Sequence, residues 1–323
     1  MLVIGVDEAG YGPLLGPLLV AGSAFRVPEP EAGQLPDADA VGERIRRAFA
    51  GRSRGPARLL VDDSKKVYRN RGLEGLEGPL LAMLAATDCA WPDVLDDFLV
   101  EVGVDPGDRR ARRWYAGAPP RFPLRTEEPD LLDELAAFRK RLVAEGVECV
   151  GLAADVVPED RLNALFDVSG NKADTLFDLS ASILEGLASA ARPGETVLAV
   201  MDRQGGRRYY LGPLQRRFPD GFPWTLAESA TSSRYRIDRG GRSWFVEFRV
   251  GGDAEAPQVG LASMLAKYLR EVYMLLWNDW FATICPDVRA TAGYTQDGRR
   301  WLAESRAARE AAGITDAEIC RTR

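Results

Sequence analysis

Three apolar runs in this chain end the same way. LVIGVDEAG (2–10), TVLAVMDRQG (196–205) and FVEFRVGGD (245–253) each pass from buried-type residues to a carboxylate at a glycine-containing turn. Apolar runs this short, closed by glycine turns, are the pattern of buried strands rather than of helices. Between them lie stretches with helical spacing. Leu131, Leu132, Leu135, Phe138 and Leu142 mark one helix over 130–146, and Leu176, Leu179, Ile183, Leu184 and Leu187 mark another over 174–191. The longest helix is expected from about Pro257 to Phe281, with proline in its first turn. Strands alternating with helices predict an α/β fold.

Further elements follow from the same reasoning. Leu18 to Phe25 should pair with the first run as a hairpin. A short helix is expected over roughly 40–50 and a short strand over Leu59–Val61, then a helix over 73–86 and a strand over 149–153. A C-terminal helix is expected from about Arg299 to Ala312. Two stretches read as insertions. Residues 91–128 are rich in Arg, Pro and Gly and suggest an excursion with little core of its own; residues 206–240 read as irregular. With 323 residues and 46% hydrophobic content, the chain suits one large domain, 1–323, with those insertions and a helical extension from about 282.

Histidine is absent. That excludes a Ser-His-Asp triad, a Cys-His pair and histidine-ligated zinc. Cys89, Cys149, Cys285 and Cys320 show no paired spacing, which argues against a disulfide framework and fits a reducing cytoplasm. No apolar run is long enough to span a membrane, so a membrane partner is not expected. A net charge of -6 gives no sign of a general polyanion binder.

Carboxylates must then carry any chemistry. Asp7, Glu8, Asp202 and Asp253 all stand at strand ends, where loops converge over rigid elements. Four such groups in one cleft would repel one another and raise their own pKa values. Mg²⁺ or Mn²⁺ would remove that penalty, because hard cations take oxygen ligands. A two-metal site is the recurring solution for phosphodiester cleavage and needs no histidine. One difficulty is geometric: adjacent strand residues point to opposite faces, so Asp7 and Glu8 are expected to share a site only if the chain leaves strand geometry at Glu8.

Read together and in order, five segments resemble the type 2 ribonucleases H, with the type 3 group in view. They are GVDEAGYGPLLGPLLVAG (5–22), DDSKK (62–66), VLAVMDRQG (197–205), VGGDAEAPQVGLASMLAKYLREV (250–272) and AGYT (292–295). The resemblance implies a ribonuclease H-like mixed sheet flanked by helices. It also implies cleavage of the RNA strand of RNA/DNA hybrids, leaving 3′-hydroxyl and 5′-phosphate ends, by a monomer. Asp7, Glu8, Asp202 and Asp253 would be the catalytic, metal-binding acids. Asp7 would bridge two metals, Asp202 and Glu8 would hold one, and Asp253 the other. Gly10, Tyr11 and Gly12 would approach a ribose 2′-hydroxyl, Ser64 and Lys65 would contact substrate, and Tyr294 would stack on a sugar or base.

Three departures accompany the resemblance. Tyr11 stands where the family usually has arginine, Gly251 where a lysine is expected, and Thr291-Ala292 where His-Lys is expected. Phosphate contacts supply most affinity, so lost cations should weaken or reroute binding. Arg109, Arg110, Arg112 and Arg113 with Trp114 and Tyr115, or Arg207 and Arg208 with Tyr209 and Tyr210, could replace them or could be solvated loop faces. Ser263 reads as a packing residue of the long helix and Glu271 as a helix-surface or supporting acid. Two other functions stay open: specificity for continuous RNA stretches, and a nucleic-acid-binding module that has lost activity.

Overall fold

In a computed structural model the chain forms a seven-stranded mixed sheet covered by helices on both faces. The structure describes residues 1–50, 59–87, 89–126 and 128–322, with the side chains of 128–133 omitted. Leu131 and Leu132, expected on a helix face, lie outside the described side chains. The strands are β1 (Leu2–Ala9), β2 (Leu18–Arg26), β3 (Glu148–Val157), β4 (Val197–Asp202), β5 (Phe222–Glu228), β6 (Ser232–Arg239) and β7 (Arg242–Arg249). The helices before β3 are α1 (Ala38–Phe49), α2 (Ser64–Ala85), α3 (Leu95–Glu101), α4 (Pro106–Arg110) and α5 (Glu128–Glu145). Next come α6 (Glu159–Ser169), α7 (Lys172–Ala188), α8 (Leu211–Arg217), α9 (Gly252–Glu255) and α10 (Pro257–Ile284). The chain closes with α11 (Thr295–Glu304), α12 (Arg306–Ala311) and α13 (Asp316–Ile319). Among the described residues, no helix is long and apolar enough to cross a membrane.

The sheet order is β3-β2-β1-β4-β7-β6-β5. β1 runs antiparallel to β2 and parallel to β4, which is in turn parallel to β7. β1 is apolar at successive positions because both of its faces are buried. Val3 packs in the core on the α10 side, while Leu2, Ile4 and Val6 pack with α7 on the other. Gly5 lies where α10 crosses most closely. A Cβ there would overlap the backbone of Gln258 and Val259, whereas one at Gly12 would meet nothing. Gly5→Ala should therefore cost about 1–3 kcal/mol or more in a urea titration. Gly12→Ala should be nearly silent, and equal effects would refute the close approach of α10 to β1.

Both expected insertions prove to be structured. Residues 91–126 form α3, α4 and an apolar wall against α10. Trp114 meets Trp277 at 5.5 Å, Tyr115 meets Tyr273 at 5.0 Å, and Phe98 stacks on Phe122 at 4.4 Å. The arginines here are tied down within the molecule. Arg109 is buried, donating to Asp96 at 2.9 Å and to the Gly117 carbonyl at 2.8 Å. Arg110 also meets Asp96, Arg112 binds Asp160 at 2.8 Å, and Arg113 reaches the Ala312 carbonyl. The aromatics of the run are core. Arg109 and Arg110 pair with Asp96 and Arg112 with Asp160, while Arg113 meets a carbonyl, and Arg110 and Arg113 stay exposed at the surface. The wall is pinned by Glu77 of α2, which is 0% exposed. Its carboxylate accepts from the amides of Leu124, Arg125 and Thr126 and from the Tyr268 hydroxyl at 2.7–2.9 Å.

Residues 206–240 supply α8, β5 and β6, two of these being regular strands of the sheet. Tyr210 stacks on Phe248 in the core and Arg207 pairs with Asp174, leaving Arg208 and Tyr209 exposed. The short strand expected at Leu59–Val61 is irregular chain instead. The helix expected over 73–86 begins earlier, at Ser64, and is kinked at Gly72 (φ 61°, ψ -151°).

Candidate active site

A cleft of about 260 Å³ opens at the C-terminal ends of β1 and β4. Its lining includes Asp7, Glu8, Gly10, Tyr11, Gly12, Ser64, Lys65, Asp202, Asp253 and Tyr294, that is, every residue expected at the site from the sequence. The cleft exists because β1 and β4 part company. Their pairing runs from Leu2↔Val197 to Val6↔Met201 and goes no further, while β1 stays paired to β2 through Ala9↔Leu19. The expected departure from strand geometry at Glu8 therefore does not occur. Asp7 and Glu8 reach one cleft because the sheet opens beside them, not because the strand breaks.

Each acid is set by its own element. Asp7 is 7% exposed, and its Oδ1 accepts the Glu8 amide at 2.8 Å. Burial first, then the charges of Glu8 and Asp202, hold it well above the usual carboxylate value. Burial and Asp202 push Glu8 up to about 7 against the pull of Lys65. Asp202, the last residue of β4, is raised by burial although its Oδ1 accepts the Gly252 amide at 2.8 Å. Asp253 enters on α9 and is raised by burial and by Asp63. Gly251 before it adopts φ +67°, so the glycine found in place of lysine accompanies a left-handed turn that a side chain would strain.

Asp63 caps α2 by accepting from the amides of Lys65 and Lys66, which fixes the exposed Lys65 in the first turn beside the acids. Ser64 is 3% exposed and its Oγ lies 2.9 Å from Ser263 Oγ. Ser263 also hydrogen-bonds Asp7. Ser263 is thus part of the site rather than a simple packing residue. Tyr294, 52% exposed, stands at the mouth. Tyr11 is half-buried, with Lys172 Nζ 4.4 Å from its ring centre. Thr291, one of the departures, fastens the turn before Tyr294. Its hydroxyl binds Asp297 at 2.6 Å and accepts the Gly293 amide at 2.9 Å. Burial alone would raise Asp297, but Thr291 and Arg300 hold it at about 2.

Two arginines of this region escaped the sequence reading. Arg270 is buried beside the cleft and donates to the carbonyls of Pro17 (2.7 Å), Ala292 (3.0 Å) and Leu15 (3.3 Å). It thereby joins residues 15–17 to the Tyr294 turn. A signal was present: Ser263, Lys267 and Arg270 are spaced by four and three, a polar stripe along an otherwise apolar helix. Arg321 approaches from the far end of the chain and has no such signal. Lys267 lines the cleft and pairs with Glu271, which supports it as expected of a helix-surface acid.

Among the described residues, no group of three His, Cys, Asp or Glu side chains is arranged to hold a metal ion. Asp7 and Asp202 each turn one oxygen onto a backbone amide. The donor chemistry still fits a hard divalent cation: four carboxylates, no soft ligand, and carboxylates that burial and mutual repulsion disfavour as anions.

No family model matches the chain, and no curated protein does. Solved structures do. RNase HII of Archaeoglobus fulgidus, solved in complex with PCNA, is similar over 100% of this chain and 95% of its own, with 16% identity and a TM-score of 0.43. Bst-RNase HIII in complex with Mn²⁺ is similar over 99% and 66%, with 14% identity and a TM-score of 0.42. Ribonuclease H2 of Pyrococcus horikoshii OT3 is similar over 99% and 92%, with 14% identity and a TM-score of 0.40. Likeness at this level assigns neither family nor activity; the residues of the cleft carry that argument.

Proposed function

We propose that this chain is a divergent type 2 ribonuclease H, an endoribonuclease that cuts the RNA strand of RNA/DNA hybrids with the help of Mg²⁺ or Mn²⁺. One observation carries the reading: motifs separated by up to 287 residues, from Asp7 to Tyr294, line a single cleft dominated by carboxylates. Asp7, Glu8, Asp202 and Asp253 would hold the cation. When bound, the metal would activate water and neutralise charge on the phosphate oxygens. The chain's own groups do the rest. Lys65 offers a cation to the phosphate at the cleft edge, and Ser263, paired with Ser64, steadies Asp7. The Gly10–Gly12 backbone would approach the ribose 2′-hydroxyl, and the exposed Tyr294 ring would stack on a sugar or base.

A second reading, a binding module without activity, rests on the substituted basic positions: Tyr11, Gly251 and Thr291-Ala292 stand where arginine, lysine and His-Lys are expected. The test is cleavage of two labelled duplexes, one with a single ribonucleotide and one with a continuous RNA strand, in Mg²⁺ and in Mn²⁺. An Asp202→Asn protein runs alongside. Cleavage of the continuous strand, lost in the variant, is the expected result. Cleavage of that strand alone would assign type 3-like specificity. Binding of both duplexes without cleavage would replace the enzyme by the binding module.

A further inference from the structure

We infer that Arg321 is a positioning residue which, with Arg270, clamps residues 10–17 by their carbonyl oxygens and so fixes the turn that carries Gly10, Tyr11 and Gly12. What that turn binds rests on the function proposed above; the clamp itself rests on geometry.

The carbonyls of this turn point inward. Arg321 Nε donates to the Gly16 carbonyl at 2.9 Å, its Nη2 donates to the same oxygen, and its Nη1 donates to the Gly10 carbonyl. The Arg321 amide donates to Leu14 at 3.0 Å, and Arg270 takes the carbonyls of Leu15 and Pro17. Five carbonyls within eight residues are thus satisfied by two buried arginines. Without those donors they would be buried and unpaired. The turn fits its clamp closely. Gly10 and Gly16 hold left-handed conformations (φ +86° and +82°), and a Cβ on either would come within about 3 Å of the Arg270 guanidinium.

Arg321 is itself held in place from outside the cleft. Cys320 bridges to Leu15, and the Asn163 side chain of α6 donates to the Cys320 carbonyl and accepts the Thr322 amide, both at 2.8 Å. Glu159, fully buried nearby, supplies the opposing charge. Arg321 does not line the cleft, so any influence on substrate must pass through the turn. A planar guanidinium spreads five donors over a fixed fork and reaches the Gly10 and Gly16 carbonyls from different nitrogens, whereas an ammonium offers a single compact donor centre.

The experiment compares Arg321→Lys and Arg321→Met with the unaltered chain. Amide hydrogen exchange is followed in a peptide covering residues 9–18, and KM and kcat are measured on a continuous-strand hybrid with Mg²⁺. Both variants should show exchange in that peptide faster by about tenfold or more, with α7 and the centre of α10 unchanged. KM should rise by about tenfold while kcat changes little. Guanidinium added to Arg321→Ala should slow the exchange again. Wild-type behaviour of Arg321→Lys would overturn the clamp in favour of charge alone. Faster exchange throughout the molecule would overturn it in favour of general stability. If the unaltered chain neither binds nor cuts the hybrid, the proposed function falls, while a local exchange difference would still support the clamp.

Discussion

Asp7→Asn should abolish cleavage and, in metal-free buffer, make the protein harder to melt. The two effects have one cause. Asp7 is buried beside Glu8 and Asp202, and all three conditions disfavour its charge. An amide keeps an oxygen that accepts the Glu8 amide but removes the repulsion. Relief of this kind is worth about 1–2 kcal/mol. The same oxygen is a much poorer metal ligand, and losing the cation's contribution to the transition state should cost several kcal/mol, roughly 10³-fold in rate. Thermal melts and single-turnover cleavage on one preparation test both. A variant that melts lower yet still cuts would remove Asp7 from the centre of the site.

The second large effect is a coupling of pH to divalent metal. Glu8 titrates at about 7 in the folded chain, against 4.5 in the unfolded one. The folded state therefore binds the proton more tightly. Without metal, stability should fall as pH rises from 4.5 to 7, with the penalty complete above 7. The shift corresponds to at most about 3 kcal/mol, less to the extent that Glu8 keeps contact with water. A divalent cation competes with that proton, so the gain in melting temperature from Mg²⁺ should be small at pH 5 and grow through neutrality. A gain that is flat across this range would show that these carboxylates do not form the binding site.

The site was largely legible because its signals are local. A strand that ends in a carboxylate needs only a handful of residues to be recognised, and β1, β4 and the end of β7 all read that way. Asp63 before Ser64 and Lys65 is a local helix cap too, yet the apolar spacing marks that helix only from residue 73. What the sequence hid is long-range. Arg109 beside Trp114 looks like a surface patch until Asp96 and the α10 aromatics surround it. Glu77 looks like a helix-surface acid, but it binds the backbone of residues 124–126. Arg321 is unremarkable until residues 14–16 lie against it. Such partners are set by topology, which local periodicity does not encode.

One helix joins these two kinds of information. α10 meets Asp7 through Ser263 and carries Trp277 fourteen residues later, about 21 Å along its axis. The aromatic wall of residues 91–126 grips the far end of a lever whose near end meets a buried carboxylate of the cleft. A cavity cut at Trp114 is thus a change in aim as well as a loss of stability.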